Sequence, residues 1–262
     1  FAAVGMSACS KDSDVTSPED TKTYVQVTIP EEMVSAQTRT SIDGNTTNWV
    51  EGDRVAVLLY DGSVTRTCLF TADKSGATTT FSGDVPVGSY TLAAAYYPYD
   101  CSASFDAVNK TFKHTWGDAY CTSNLADYDF MYTNIWEEPF SVDETSTVLP
   151  VNFTFKPLMA RIKITLGLGA NETPRKIMLE TDANVLPTAG TIDALGNFTA
   201  SSVTNAITIP TGQKEFVIGL LPVGIHSTLT VKVMTADGLT YSDKSLTLAG
   251  LKRNHHYTMS VP

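Results

Sequence analysis

The chain is sparing with charge: Asp, Glu, Lys and Arg together make up 18% of its 262 residues. The charge it has is mostly negative, 28 carboxylates against 18 Lys and Arg, and no stretch gathers basic residues into a cluster. Binding nucleic acid through phosphates needs such a face, so that class of partner is excluded. No apolar run approaches the roughly 20 residues needed to span a bilayer as a helix, and no stretch keeps a sustained helical period. Cysteines number four, with no Cys-x-x-Cys spacing and no histidine placed to complete a metal set, so no metal or other cofactor is expected. Gly-x-Ser-x-Gly and His-Glu-x-x-His are also missing, and His114 and His226 have no acid or nucleophile at catalytic spacing. The sequence does not read as an enzyme.

What is present suits strands. Hydrophobic residues reach 42%, enough for packed cores, and Thr, Ser, Val, Gly, Tyr and Phe are plentiful, as pleated surfaces and tight turns require. Tyr24-Val25-Gln26-Val27-Thr28-Ile29 alternates, with Val25, Val27 and Ile29 on one face, and Pro30 ends the run. Similar runs follow at 54–60, 67–71, 78–82 and 89–97, separated by turns such as Asp61-Gly62, Ser75-Gly76 and Gly83-Asp84. Another strand is expected at 129–133. Two more, interrupted at Pro157, fill 148–168; the second places Leu158, Ala160, Ile162, Ile164 and Leu166 against Arg161, Lys163 and Thr165 on the opposite face. The pattern repeats at 176–181, 191–193, 206–209, 215–220, 228–234, 239–248 and 257–261. Short, evenly spaced strands argue for an all-β chain of two sandwiches, residues 24–150 and 151–262, divided near Pro150.

The N-terminal residues carry a different signal. Residues 1–8 are small and apolar, Cys9 follows, and Ser10-Lys11-Asp12-Ser13-Asp14 turns abruptly polar. This is the tail of a secretory signal, and Met6-Ser7-Ala8-Cys9 resembles a bacterial lipobox with Cys9 placed to receive lipid. Residues 10–23, polar and containing Pro18, read as a tether. Cys68, Cys101 and Cys121 remain, so at most one disulfide forms; Cys101 and Cys121 share one loop region and are the candidate pair.

Residues 96–140 are dense in aromatic side chains, and two readings compete there. Trp116 and Trp136, backed by Asp and Asn, would stack sugars; alternatively most of these rings fill the first domain's core. His255-His256 cannot chelate one ion, since neighbours on a strand point to opposite faces. Asp127 and Asp129 read as strand-entry residues.

Several segments then carry a family resemblance. Thr38-Arg39-Thr40 precedes Trp49-Val50-Glu51-Gly52-Asp53-Arg54-Val55-Ala56-Val57. Tyr96-Tyr97-Pro98-Tyr99 and Asp127-Tyr128-Asp129-Phe130-Met131-Tyr132 follow, then Phe153-Thr154-Phe155-Lys156-Pro157-Leu158-Met159-Ala160-Arg161-Ile162. The ending is Leu251-Lys252-Arg253-Asn254-His255-His256-Tyr257-Thr258-Met259-Ser260-Val261. In order and spacing these resemble the fimbrillin family, the lipoprotein subunits of type V pili. The resemblance implies two transthyretin-like Greek-key β-sandwich domains, export to the outer membrane and cell surface, and assembly into a fimbria by strand exchange. It also implies an arginine-specific surface protease that cuts the Arg39–Thr40 bond and removes the strand Tyr24–Ile29. Partners would be other pilus subunits through a donor strand and a host glycan or protein receptor.

Elementary energetics agree with such a role for the first strand. Burying Val25, Val27 and Ile29 stabilises by roughly 5–9 kcal/mol gross, and withdrawing them exposes an apolar groove with unpaired backbone. Because Tyr257–Val261 is followed directly by Pro262, no spare donor strand is evident, and a tip or minor subunit is expected. A monomeric glycan-binding surface lipoprotein is the alternative.

Overall fold

A computed structural model of the chain describes residues 23–36, 41–43, 46–101, 103–116, 129–223, 227–238, 240–248 and 250–261. The architecture is all-β. The first strands are β1 (Tyr24–Ile29), β2 (Val34–Ala36), β3 (Ser41–Asp43), β4 (Thr46–Asn48), β5 (Arg54–Tyr60), β6 (Thr65–Ala72), β7 (Phe81–Pro86), β8 (Gly88–Tyr90) and β9 (Leu92–Tyr97). Then come β10 (Ser104–Asp106), β11 (Thr111–Thr115), β12 (Met131–Thr133), β13 (Phe140–Val142), β14 (Phe153–Pro157), β15 (Ala160–Leu166), β16 (Pro174–Thr181) and β17 (Leu186–Ile192). The last are β18 (Phe198–Thr204), β19 (Ala206–Pro210), β20 (Glu215–Leu220), β21 (Ser227–Thr235), β22 (Thr240–Leu248) and β23 (His256–Val261). The helical elements among the described residues are two short 3-10 turns, Glu31–Met33 and Tyr99–Cys101.

Two compact units result. One runs up to Asp100 and resumes over Tyr132–Lys156; the other comprises Cys101–Met131 and Pro157–Pro262. This division differs from a single boundary near Pro150. The stretch between the first unit's two parts belongs to the second unit because β11 pairs with β17 (Phe112 opposite Ile192, His114 opposite Gly190). The rings of 96–140 divide accordingly: Tyr96, Tyr97 and Tyr132 are buried in the first unit, Phe112 and Phe130 in the second.

The first unit is built on eight strands in the order β1-β7-β6-β5-β9-β12-β14-β2. Its outer members are close in sequence. The few residues joining Ile29 to Val34 reach at most roughly 18 Å when extended, whereas eight strands laid flat would separate the outer two by roughly 33 Å. The sheet is therefore rolled, and β1, Glu31–Met33 and β2 lie along its seam. The core at this seam is aromatic. Trp49, fully buried, meets Phe81, Phe155 and Tyr97 edge-on, with ring centroids 4.9, 5.3 and 5.7 Å apart.

The second unit has an aliphatic core drawn from two sheets, β20-β15-β23 and β19-β16-β21-β22. Ile162 and Ile164 of β15, Ile177 and Leu179 of β16, Ile218 of β20, and Val231 and Val233 of β21 are buried at alternate positions. A further sheet runs β10-β11-β17-β18. Arg161 and Lys163 share the other face of β15, yet only Lys163 is exposed. The Arg161 guanidinium is buried against the equally buried Asp129 carboxylate as an ion pair. Alternation along β15 gave no sign of this, since the partner lies on a segment separated by 32 positions.

Candidate functional site

The first strand is where expected and sits in a slot. On one flank β1 runs antiparallel to β7, from Tyr24 opposite Pro86 to Ile29 opposite Phe81, and the Val87 N–H donates to the Thr23 carbonyl at 2.8 Å. On the other flank the Thr28 N–H donates to the Thr147 carbonyl, and the Leu149 N–H to the Thr28 carbonyl, both at 2.9 Å. The strand is thus bound by main chain on both sides near its C-terminal end, a second flank that the sequence did not disclose. Backbone groups so paired lose partners together if the strand leaves.

Side chains grade along the strand. Tyr24 is exposed, Val25 half-buried, and Val27 and Ile29 are buried at 0% and 1% exposure. Val25 contributes less than expected, so two side chains carry most of the apolar contact, roughly 3–6 kcal/mol gross. Ile29 lies in register with Phe81, whose ring packs on Trp49. Val27 lies opposite Gly83. A Cβ there would fall 2.4 Å from the Leu69 carbonyl oxygen and 2.6 Å from the Phe70 ring, so only glycine lets β6 and β7 close over that ring. Beyond Pro30, Glu31 pairs with Lys74 at 2.6 Å, and hydrogen bonding from that ammonium, followed by its charge, holds the Glu31 carboxyl below the usual range.

The segment does not end with β1. β2 pairs in parallel with β14, with Val34 opposite Phe153 and Ala36 opposite Phe155. Both β1 and β2 therefore precede Arg39 in sequence. Arg39, Thr40, Cys9 and Cys121 lie outside the described residues; Cys101 is half-buried in the Tyr99–Cys101 turn. Trp116 and Trp136 fall in separate units. Trp116 packs against His114 and Phe198, at 4.4 and 6.3 Å between centroids. Trp136 exchanges backbone hydrogen bonds with Ala93 at 2.7 and 2.8 Å. Burial lowers the His114 pKa to about 4. Among the described residues no group of His, Cys, Asp and Glu is placed to hold a metal ion, and no helix is long and apolar enough to cross a membrane.

A model of fimbrillin-like proteins matches residues 38–261. The chain belongs to this fimbrillin-like family. Membership makes it a structural protein of the fimbrial and adhesive kind, not an enzyme. Two solved structures share the fold. A candidate cell adhesion protein from Bacteroides uniformis is 15% identical, with 94% of each chain covered and a TM-score of 0.57. A second candidate cell adhesion protein, from Bacteroides ovatus, is 14% identical over 91% of this chain and 92% of that one, with a TM-score of 0.50. No curated protein sequence matches the chain. The matched region of this fimbrillin-like chain begins after β2, so β1 and β2 both precede it.

Proposed function

We propose that the protein is a subunit of a cell-surface fimbria, exported as a lipoprotein through Cys9 and activated when an arginine-specific protease cuts the Arg39–Thr40 bond. The cut frees β1 and β2, and the vacated slot accepts a strand from a neighbouring subunit. The observation that carries this reading is the β1 slot. A six-residue strand buries Val27 and Ile29 and is joined to the rest of its unit by a ladder to β7, by main-chain bonds of Thr28 on the other flank, and by the Thr28 hydroxyl, which donates to the Thr147 carbonyl at 3.3 Å. Backbone pairing gives such a groove general affinity, and the pockets of alternate side chains give it selectivity. Two further facts support the reading. Arg39 is the first arginine of the chain, and the family-like region begins at residue 38, about where the cut would leave the new terminus. A place at the tip of the fibre, or as a minor subunit, is the finer form of the proposal.

The test is digestion of the folded protein with an arginine-specific protease. Shortening at Arg39, its loss in Arg39→Ala, and ladders stable to mild denaturant when cut and uncut protein are mixed are the expected results. Full-length protein that survives digestion, or cut protein that stays monomeric with every candidate subunit, would refute it.

A further inference from the structure

The large hydrophobic side chains most open to solvent among the described residues are Val108 and Leu195, 78% and 82% exposed. Both stand at hairpin tips of one sheet. Val108 lies in the turn from β10 to β11, where Asp106 faces Thr111, and Leu195 in the turn from β17 to β18, where Ile192 faces Phe198. Since Phe112 is opposite Ile192 across the antiparallel β11–β17 pair, the two turns emerge side by side at one end of the sheet. Two strand spacings set the hairpins roughly 10 Å apart.

The tips are built alike. The Asp106 carboxylate accepts the Val108 and Asn109 N–H groups at 3.0 and 2.9 Å and the Asn109 amide at 2.6 Å. The Asp193 carboxylate accepts the Leu195 and Asn197 N–H groups at 2.9 and 2.8 Å and the Asn197 amide at 2.9 Å. These bonds turn each carboxylate inward on its own loop and fix the tip, so each aliphatic side chain is held outward without further ordering cost. The surrounding charge is of the other sign. Residues 106–113, 193–197 and 252–255 contain Lys110, Lys113, Lys252 and Arg253 against Asp106 and Asp193. The Arg253 Nη1 donates to the Gly196 carbonyl at 2.9 Å, which brings that loop to the second tip. In a chain of net charge −10 this end is locally basic.

Aliphatic tips ringed by cations match the boundary between phosphate headgroups and acyl chains. A second copy is a poorer occupant: two side chains bury far less than the roughly 800 Å² per partner of a stable interface. We infer that this end of the second unit seats on an anionic phospholipid bilayer, with Val108 and Leu195 entering the acyl boundary and Lys110, Lys113, Lys252 and Arg253 meeting phosphates.

The test is co-sedimentation of the full chain with vesicles, using Cys9→Ser throughout so that no acyl anchor contributes. Vesicles of phosphatidylcholine mixed with phosphatidylglycerol are compared with phosphatidylcholine alone. The expected result is binding to the mixed vesicles that weakens with added salt, falls roughly tenfold in Val108→Ser or Leu195→Ser, and falls about a hundredfold in the double variant. Both side chains are exposed, so an unchanged circular dichroism spectrum and thermal midpoint show that folding is intact. Protein that stays in the supernatant with mixed vesicles overturns the inference. So does a double variant that binds like the parent, or self-association that depends on these two residues without vesicle binding.

Discussion

The strands β1 and β23 make an instructive pair. Each has six residues, lies at the edge of its sheet, begins exposed and ends in two buried side chains at alternate positions: Val27 and Ile29 in one, Met259 and Val261 in the other. Their anchoring differs. β1 is antiparallel to β7 and touched by main chain on its far flank, and its chain continues into β2 on the opposite border of the same rolled sheet. β23 is parallel to β15 and preceded by a tight turn, in which the Asn254 N–H donates to the Met159 carbonyl at 3.1 Å and the His255 N–H to the Lys252 carbonyl at 3.2 Å. An arginine flanks each strand system, Arg39 after β1 and β2 and Arg253 before β23. A protease needs an extended segment, and Arg253 is held in its turn by the bond to Gly196. Like burial patterns thus come with unlike connections, and these are why β1, not β23, is proposed as the strand that leaves.

The comparison can be broken in several ways, the first with the largest effect. Asp129→Ala strands a buried guanidinium and should destabilise the unit that holds β23 by about 3–5 kcal/mol, while leaving digestion at Arg39 unchanged. Chemical denaturation followed through both units measures this; a cost under about 1 kcal/mol would show the ion pair to be dispensable. Ile29→Ala and Met259→Ala should each cost about 2–5 kcal/mol. Only Ile29→Ala should speed the uptake of a synthetic peptide covering residues 24–36, followed by its fluorescent label. Equal uptake by both variants would remove the distinction drawn between the two strands.

Acid should act on the second unit more than the first. The buried His114 titrates near 4 against 6.5 when free, so the folded state disfavours its charged form. The stability this represents is complete above about pH 6.5 and is lost as pH falls towards 4. His114→Gln should flatten the pH dependence of unfolding in that window, and an unaltered profile would assign it to other groups. The smallest effect is expected from Glu31→Gln. Its pair with Lys74 is solvent-exposed, so the loss should be slight and should vanish at high salt.

Much of the fold was legible because one face of most strands is buried. Residues 24–29 alternate, while 54–60 and the end of 215–220 are apolar runs buried on both faces; the strands β1, β5 and β20 have those limits. β18 left no such trace: residues 199–203 are exposed on both faces, so no period of two appears. β10 and β11 were hidden among aromatic side chains whose neighbours on β17 lie far along the chain. For the candidate site, the first strand and its inward residues could be read locally. Its second flank at Thr147–Leu149, the parallel β2–β14 pairing and the Asp129–Arg161 pair depend on contacts distant in sequence, which no local pattern records.

The short crossing at Glu31–Met33 has a consequence for timing. It ties the two margins of the rolled sheet to one length of chain, so a single scission past Ala36 would release both together. On the proposed cleavage, one margin would not be bared while the other stayed covered. On that proposal the slot would open to a partner strand in one step, set by the enzyme that makes the cut.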